Sequence, residues 1–182
     1  RVPFGRLPLD EAYEIVRQVG EAVHAAHEAG ILHRDLKPSN IFWVDGGAKV
    51  IDFGMAADLQ AGLPSALGVA TGTVRYMAPE QLMGAAVDGR ADLYALATIF
   101  YEMLTGRHAD AGTYRPASEL VAGVDLSLDL VVERARQQRP EERHPDVATF
   151  LAELAQVVPA QPASARSAPA GRAPPAPARP GT

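Results

Sequence analysis

The eight residues His33-Arg34-Asp35-Leu36-Lys37-Pro38-Ser39-Asn40 crowd three charged groups, an obligatory helix breaker and a terminal amide into one loop, directly after an amphipathic segment that ends at Gly30. Another carboxylate follows in Asp52-Phe53-Gly54, and a further one in Ala78-Pro79-Glu80. These residue types bound the chemistry. A carboxylate can accept or orient a proton, carboxylate and amide oxygens are the ligands a hard cation takes, and an ammonium can meet an anion as a point charge. Each residue also has a plain use. Asp or Asn in a loop is most often a turn former or a helix cap, a lone Gly54 is turn punctuation, and a lone Phe53 is a core aromatic. Any functional reading therefore rests on the combination.

The elements that must position these residues are legible as periodicities. From Asp10 to Ala29, Ala12, Ile15, Val16, Val19, Ala22, Val23 and Ala26 recur at steps of three and four, which predicts a helix with one apolar stripe. Asp10 and Glu11 suit its first turn and Gly30 supplies its stop. After the polar loop, Ile41 to Val44 and Ala48 to Ile51 flank Asp45-Gly46-Gly47, the pattern of a short hairpin. Asp52 to Pro79 is rich in Gly, Ala, Ser and Thr without a sustained period, and a loop of that length inside a domain is usually functional. Asp92 to Leu104 is apolar nearly all round and predicts a buried helix closed by Gly106. Two further helices are expected at Ser127 to Gln138 and Pro145 to Val157. The fold expected is mainly α, a helical lobe with one small β-hairpin.

Composition divides the 182 residues unequally. From Gln161 onward the chain is mostly Ala, Pro, Ser, Gly and Arg, which cannot bury a core and reads as a disordered tail or linker. We place the domain at 1–158 and the tail at 159–182; about 160 residues suffice for one core. The tail holds Arg166, Arg172 and Arg179 and no acid, so the net charge of −5 divides into +3 there and −8 elsewhere. An acidic globular part argues against nucleic-acid binding. With no Cys there is neither a disulfide framework nor a thiolate zinc site. No apolar run reaches the roughly 18 residues a membrane span needs. The opening, RVPFGRLPLD, has neither an initiator Met nor a signal-like core, and suggests a piece of something longer.

Taken together and in this order, H-R-D-x-x-x-x-N at His33 to Asn40, D-F-G at Asp52 to Gly54 and A-P-E at Ala78 to Glu80 resemble the C-terminal lobe of the eukaryotic-like (bacterial) Ser/Thr protein kinases. The resemblance covers roughly Leu7 to Ala155. It implies a kinase C-lobe fold with Asp35 as the carboxylate that orients the substrate hydroxyl. Asn40 and Asp52 become ligands of Mg²⁺ (or Mn²⁺) and, with Phe42 beneath the adenine, contacts of ATP. Plain core is the other reading for Phe42. Lys37 would contact the γ-phosphate and marks the Ser/Thr-type variant of the loop. The Ala-rich composition and the MAPEQL run resemble bacterial members.

The resemblance also assigns regulation and support. Arg34 stands where the family holds an activation-loop phosphate. The acceptor candidates are Ser65, Thr71, Thr73 and Tyr76; Val69 occupies the usual acceptor place, which leaves Ser65 as the best choice. Thr73 matches the substrate-docking threonine that bridges Asp35 and Lys37. His33 and Phe53 are expected to pack together, with His33 holding the loop and exchanging no protons. Gly54 is expected to give structural support within the same D-F-G motif. Glu80 is expected to pair with Arg143, and Asp92 to accept hydrogen bonds from the catalytic-loop backbone, or else simply to cap its helix. Between Gly106 and Ser127 the chain is short for the family, so the helix there is expected to be reduced.

No G-x-G-x-x-G lid and no V-A-I-K strand Lys occurs in the chain, and the family needs both to hold ATP. The expectation is an absent N-lobe and little or no kinase activity in the isolated polypeptide. Two alternatives remain open: a non-catalytic pseudokinase interaction module, and a small-molecule phosphotransferase with a similar H-x-D-x-x-x-x-N loop. The first is opposed by retention of Asp35, Lys37, Asn40 and Asp52, the second by the A-P-E element and Gly72-Thr73. The partners implied are ATP, protein substrates and a second copy for trans-autophosphorylation. The expected place is the cytoplasm, with membrane tethering through segments outside this chain left open.

Overall fold

The apolar stripe of the first segment becomes helix α1, Leu9–Glu28, which buries Ala12, Ile15, Val16, Val19 and Val23 along one face. Steps of three and four bring these side chains together because the helix turns once per 3.6 residues. At its end Gly30 takes φ +76; its N–H donates to His27 O at 2.9 Å and the Ile31 N–H reaches back to Ala26 O at 2.8 Å. Those crossed bonds form a Schellman stop, and the chain turns off just before His33. The structure, a computed structural model, describes residues 6–44, 46–53, 74–109 and 112–158.

A short 3₁₀ turn, Pro38–Asn40, leads into β1 (Ile41–Val44), which pairs antiparallel with β2 (Gly47–Val50). The register sets Ile41 opposite Val50 and Val44 opposite Gly47. Gly47 thus joins the strand, one residue ahead of the expected Ala48, and Gly46 at φ +77 supports the tight connection. Ile51 falls outside the strand, yet its N–H donates to Asn40 O at 3.0 Å. Gln18 of α1 accepts the Ala48 N–H through Oε1 at 2.7 Å, which fastens the hairpin to the helix.

After a second 3₁₀ turn, Val74–Tyr76, and the four-residue helix α2 (Pro79–Leu82), the central helix α3 runs from Gly89 to Thr105. It begins three residues before the expected Asp92, because the Asp88 side chain accepts the Arg90 N–H at 2.9 Å and caps it there. Asp92 is therefore not the cap. Leu93, Leu96, Ile99, Phe100 and Leu104 are buried on different sides of α3, which packs against α1, α4 (Ala117–Leu120), α5 (Leu126–Ala135) and α6 (Val147–Val157). Between Gly106 and Ser127 the described residues hold the four-residue α4 and the first two residues of α5.

Two further helix limits differ from the periodicity by more than one residue. Helix α5 stops at Ala135, not Gln138: its end tightens into an i→i−3 bond from the Gln137 N–H to Arg134 O at 3.2 Å, and beyond it the carbonyls of Gln137 and Gln138 accept from the Arg143 guanidinium at 2.8 Å and 3.2 Å. Helix α6 starts at Val147 because Asp146 accepts the Thr149 N–H at 2.7 Å, which leaves Pro145 outside.

His144, just before α6, is fully buried, its ring centroid 5.4 Å from that of Phe150 and its Nε2 3.0 Å from the Glu153 carboxylate. Arg134 binds the same carboxylate at 2.8 Å. Burial, opposed by Glu153, holds the imidazole below its ordinary pKa. The unfolded chain then binds the extra proton first, so stability is expected to be full above about pH 6.5 and to decline as pH falls below it. Thermal melts from about pH 7.5 to 5 should follow that slope, and His144→Gln should flatten it.

Candidate active site

The polar loop is held from below by one carboxylate. Asp92, only 2% exposed in the first turn of α3, accepts the backbone N–H of His33 at 2.8 Å and that of Arg34 at 2.7 Å. A third partner, His27 Nε2 from the last turn of α1, lies 2.8 Å from Asp92 Oδ2. A buried carboxylate needs several donors to offset lost hydration, and this one finds them in the loop it supports.

Asp35, Lys37 and Asn40 converge above that anchor. Lys37 Nζ lies 2.7 Å from Asp35 Oδ2. The Asn40 amide nitrogen donates to Asp35 O at 2.9 Å and lies 3.4 Å from its Oδ2. An amide whose nitrogen is committed in this way has its oxygen left to offer a cation. Asp35 and Lys37 are each partly accessible, at 30% and 23% of the side chain, so both can reach a substrate while paired.

His33 is fully buried and binds backbone through both ring nitrogens. Its Nδ1 accepts the Asp35 N–H at 3.3 Å and its Nε2 lies 3.0 Å from Ile51 O. With Nδ1 accepting, the proton sits on Nε2 and is donated to Ile51. The Phe53 ring stands 4.7 Å from the imidazole. The Ile51 to Asn40 backbone bond sets the exposed Asp52 one residue beyond the partner of Asn40. The pair offers one neutral and one anionic oxygen ligand, a set suited to a hard divalent cation. Phe42 is half-buried on β1, opposite Lys49.

Among the described residues, Arg34 at φ 64 and Asp52 at φ 63 are the non-glycine residues in the left-handed region. That conformation costs an L-residue about 1–2 kcal/mol, and such strain concentrates at functional sites. At Arg34 both flanking peptides are held by side chains. Asp92 takes its N–H, and Gln81 Nε2 donates to its carbonyl at 2.8 Å.

Glu80 and Arg143 form a buried bidentate pair, both N–O distances 2.7 Å. Arg143 also donates to Arg90 O at 2.8 Å, and its guanidinium lies 5.0 Å from the Tyr94 ring centroid. Tyr76 is 8% exposed and donates its hydroxyl to Glu102 at 2.6 Å, so it is poorly placed as a phosphate acceptor. Gly54, Ser65, Thr71 and Thr73 lie outside the described residues. Sequence reasoning missed His27 and Gln81. Each reads locally as an ordinary helix residue, and no spacing ties either to the loop.

The chain as a whole is similar to known proteins. The protein kinase domain model matches residues 4–170. The chain is 44% identical over 155 residues to the serine/threonine-protein kinase Pkn1 of Myxococcus xanthus, covering 75% of this chain and 22% of that protein. It is 36% identical over 175 residues to the serine/threonine-protein kinase PknB of Mycobacterium leprae, covering 87% of this chain and 28% of that protein. Among solved structures, a point mutant of the PknI kinase domain of Mycobacterium tuberculosis superposes with a TM-score of 0.67 at 32% identity, covering 86% of this chain and 57% of that one. The chain thus spans less than a third of the length of Pkn1 and of PknB.

Proposed function

Since this chain belongs to the protein kinase domain family, we propose that it supplies the catalytic-loop side of a Ser/Thr protein kinase, which transfers the γ-phosphate of ATP to Ser and Thr hydroxyls of proteins. The observation that carries this reading is the convergence of Asp35, Lys37 and Asn40 in one loop, with Lys37 Nζ 2.7 Å from Asp35 Oδ2 and the Asn40 amide tied to the Asp35 backbone. Phosphoryl transfer asks the protein mostly for positioning and charge neutralisation. Asp35 orients the acceptor hydroxyl and takes its proton. Lys37 offsets negative charge, and Asn40 and Asp52 hold Mg²⁺ or Mn²⁺. Bound ATP with its divalent cation supplies the transferable phosphoryl group. Phe42 lies beneath the adenine.

Regulation follows the same residues. Arg34 Nε is buried without a hydrogen-bond partner among the described residues, which suits it to a phosphate carried on Ser65, Thr71 or Thr73, with Thr73 also docking the substrate. Residues 1–158 would form the lobe and 159–182 a linker. No helix among the described residues is long and apolar enough to cross a membrane. We place the lobe in the cytoplasm, where protein substrates and a second copy for trans-autophosphorylation meet it. Because no G-x-G-x-x-G lid or V-A-I-K motif lies in the chain, the isolated 182 residues are expected to transfer little phosphate by themselves.

The test compares this chain with the longest in-frame product of its gene, each given γ-labelled ATP, Mg²⁺ and, in separate reactions, a protein or a small-molecule acceptor. Label on Ser and Thr from the longer product supports the reading. Label confined to a small-molecule acceptor, or absent from both, overturns it.

A further inference from the structure

Helix α2 is four residues long and is preceded at the N-cap position by Ala78, a residue whose side chain cannot cap it. Gln81 fills that lack: its Oε1 accepts the Ala78 N–H at 3.0 Å. The same amide donates Nε2–H to Arg34 O at 2.8 Å, across 47 residues of chain. One half-buried side chain thus closes two backbone groups on different segments. Its orientation is determined, because a flipped amide would set NH₂ against the Ala78 N–H and oxygen against the Arg34 carbonyl.

The place it grips is sensitive. The Arg34 carbonyl belongs to the peptide unit that leads into Asp35, and Arg34 holds a left-handed backbone that L-residues disfavour. Asp92 secures the N–H side of that residue; Gln81 is the side-chain donor to the other side. Helix α2 is itself seated through Glu80, the neighbouring residue, whose carboxylate is clamped by Arg143, and through the turn that Tyr76 fixes by donating to Glu102. Glu80 and Gln81, adjacent in sequence, therefore connect to opposite parts of the lobe.

We propose that Gln81 is a positioning residue that makes the orientation of the Arg34-Asp35 peptide, and so of the Asp35 carboxylate, depend on the seating of residues 74–82. Its effect on catalysis rests on the kinase reading above; its effect on the loop does not. When residues 74–82 are displaced, the bond to Arg34 O breaks and Arg34 loses one of the two side chains that hold its flanking peptides.

Gln81→Glu separates this role from simple capping, since a carboxylate still accepts the Ala78 N–H but cannot donate to Arg34 O. Hydrogen exchange on the 182-residue chain is read at single amides. In Gln81→Glu the Arg34 and Asp35 amides should exchange about tenfold faster, the worth of one hydrogen bond, while Leu82 and Met83 keep parental protection. Gln81→Met, which loses both bonds, should exchange faster at both places. Parental exchange at Arg34 and Asp35 in Gln81→Glu would reduce Gln81 to a cap and overturn the proposal, as would acceleration spread evenly along the chain. In the longer gene product, Gln81→Glu should lower kcat by roughly tenfold with KM for ATP unchanged; a cap alone would leave kcat at the parental value. Full activity in an Asp35→Asn control would remove the kinase reading and leave the exchange result standing.

Discussion

In the longest product of the gene, Asp35→Asn should lower phosphate transfer by about 10²- to 10⁴-fold, the range a positioned general base supplies, with a melting temperature close to the parent's. The substitution keeps shape and removes charge. The bonds that hold residue 35 run through its backbone, from Asn40 Nδ2 to its carbonyl and from its N–H to His33 Nδ1, so the loop should stay in place. What is lost is the proton acceptor and the negative partner of Lys37. Labelled ATP read against a single acceptor protein measures the ratio. Equal incorporation by both proteins would remove Asp35 from the chemistry.

Arg143→Ala should destabilise the fold by about 3–5 kcal/mol, because it strands the buried Glu80 carboxylate without its partner. The side chains of Arg143 and Glu80 are 0% and 5% exposed, so water cannot take the place of the guanidinium without rearrangement. The carbonyls of Arg90, Gln137 and Gln138 lose their donor in the same step. For a domain of this size the expected fall in Tm is roughly 10 °C. Replacing both partners by Met should cost less than either single change, since two apolar side chains leave no buried charge behind. A Tm within about 2 °C of the parent for Arg143→Ala would mean that the pair is not sealed from water. The clamp is a matter of placement more than of net stability: it seats α2, and α2 carries Gln81.

Local rules were enough for much of the architecture. The stripe of Ala12, Ile15, Val16, Val19 and Val23 specifies α1 because helical periodicity is a property of a dozen consecutive residues, and the glycine after it specifies the stop. The hairpin follows from two short apolar runs around Asp45-Gly46. The chemistry of His33 to Asn40 is equally local, since Asp35, Lys37 and Asn40 lie within six residues and their bonds to one another span two and five positions. Order and spacing of the three motifs identify the family for the same reason.

What the tertiary structure decided involves polar partners far apart in sequence. Asp92 meets His33 across 59 residues and His27 across 65, and Gln81 meets Arg34 across 47. The family resemblance pointed to Asp92, but nothing in the spacing of His27 or Gln81 marks either as a support of the loop. The same holds for the end of α5, which apolar periodicity carries to Gln138 but which lies at Ala135, with the carbonyl of Gln137 accepting from a guanidinium of a later segment. Hydrophobic patterning repeats and can be read along the chain. A single hydrogen bond between distant segments has no period, and only the folded packing specifies which donor reaches which acceptor.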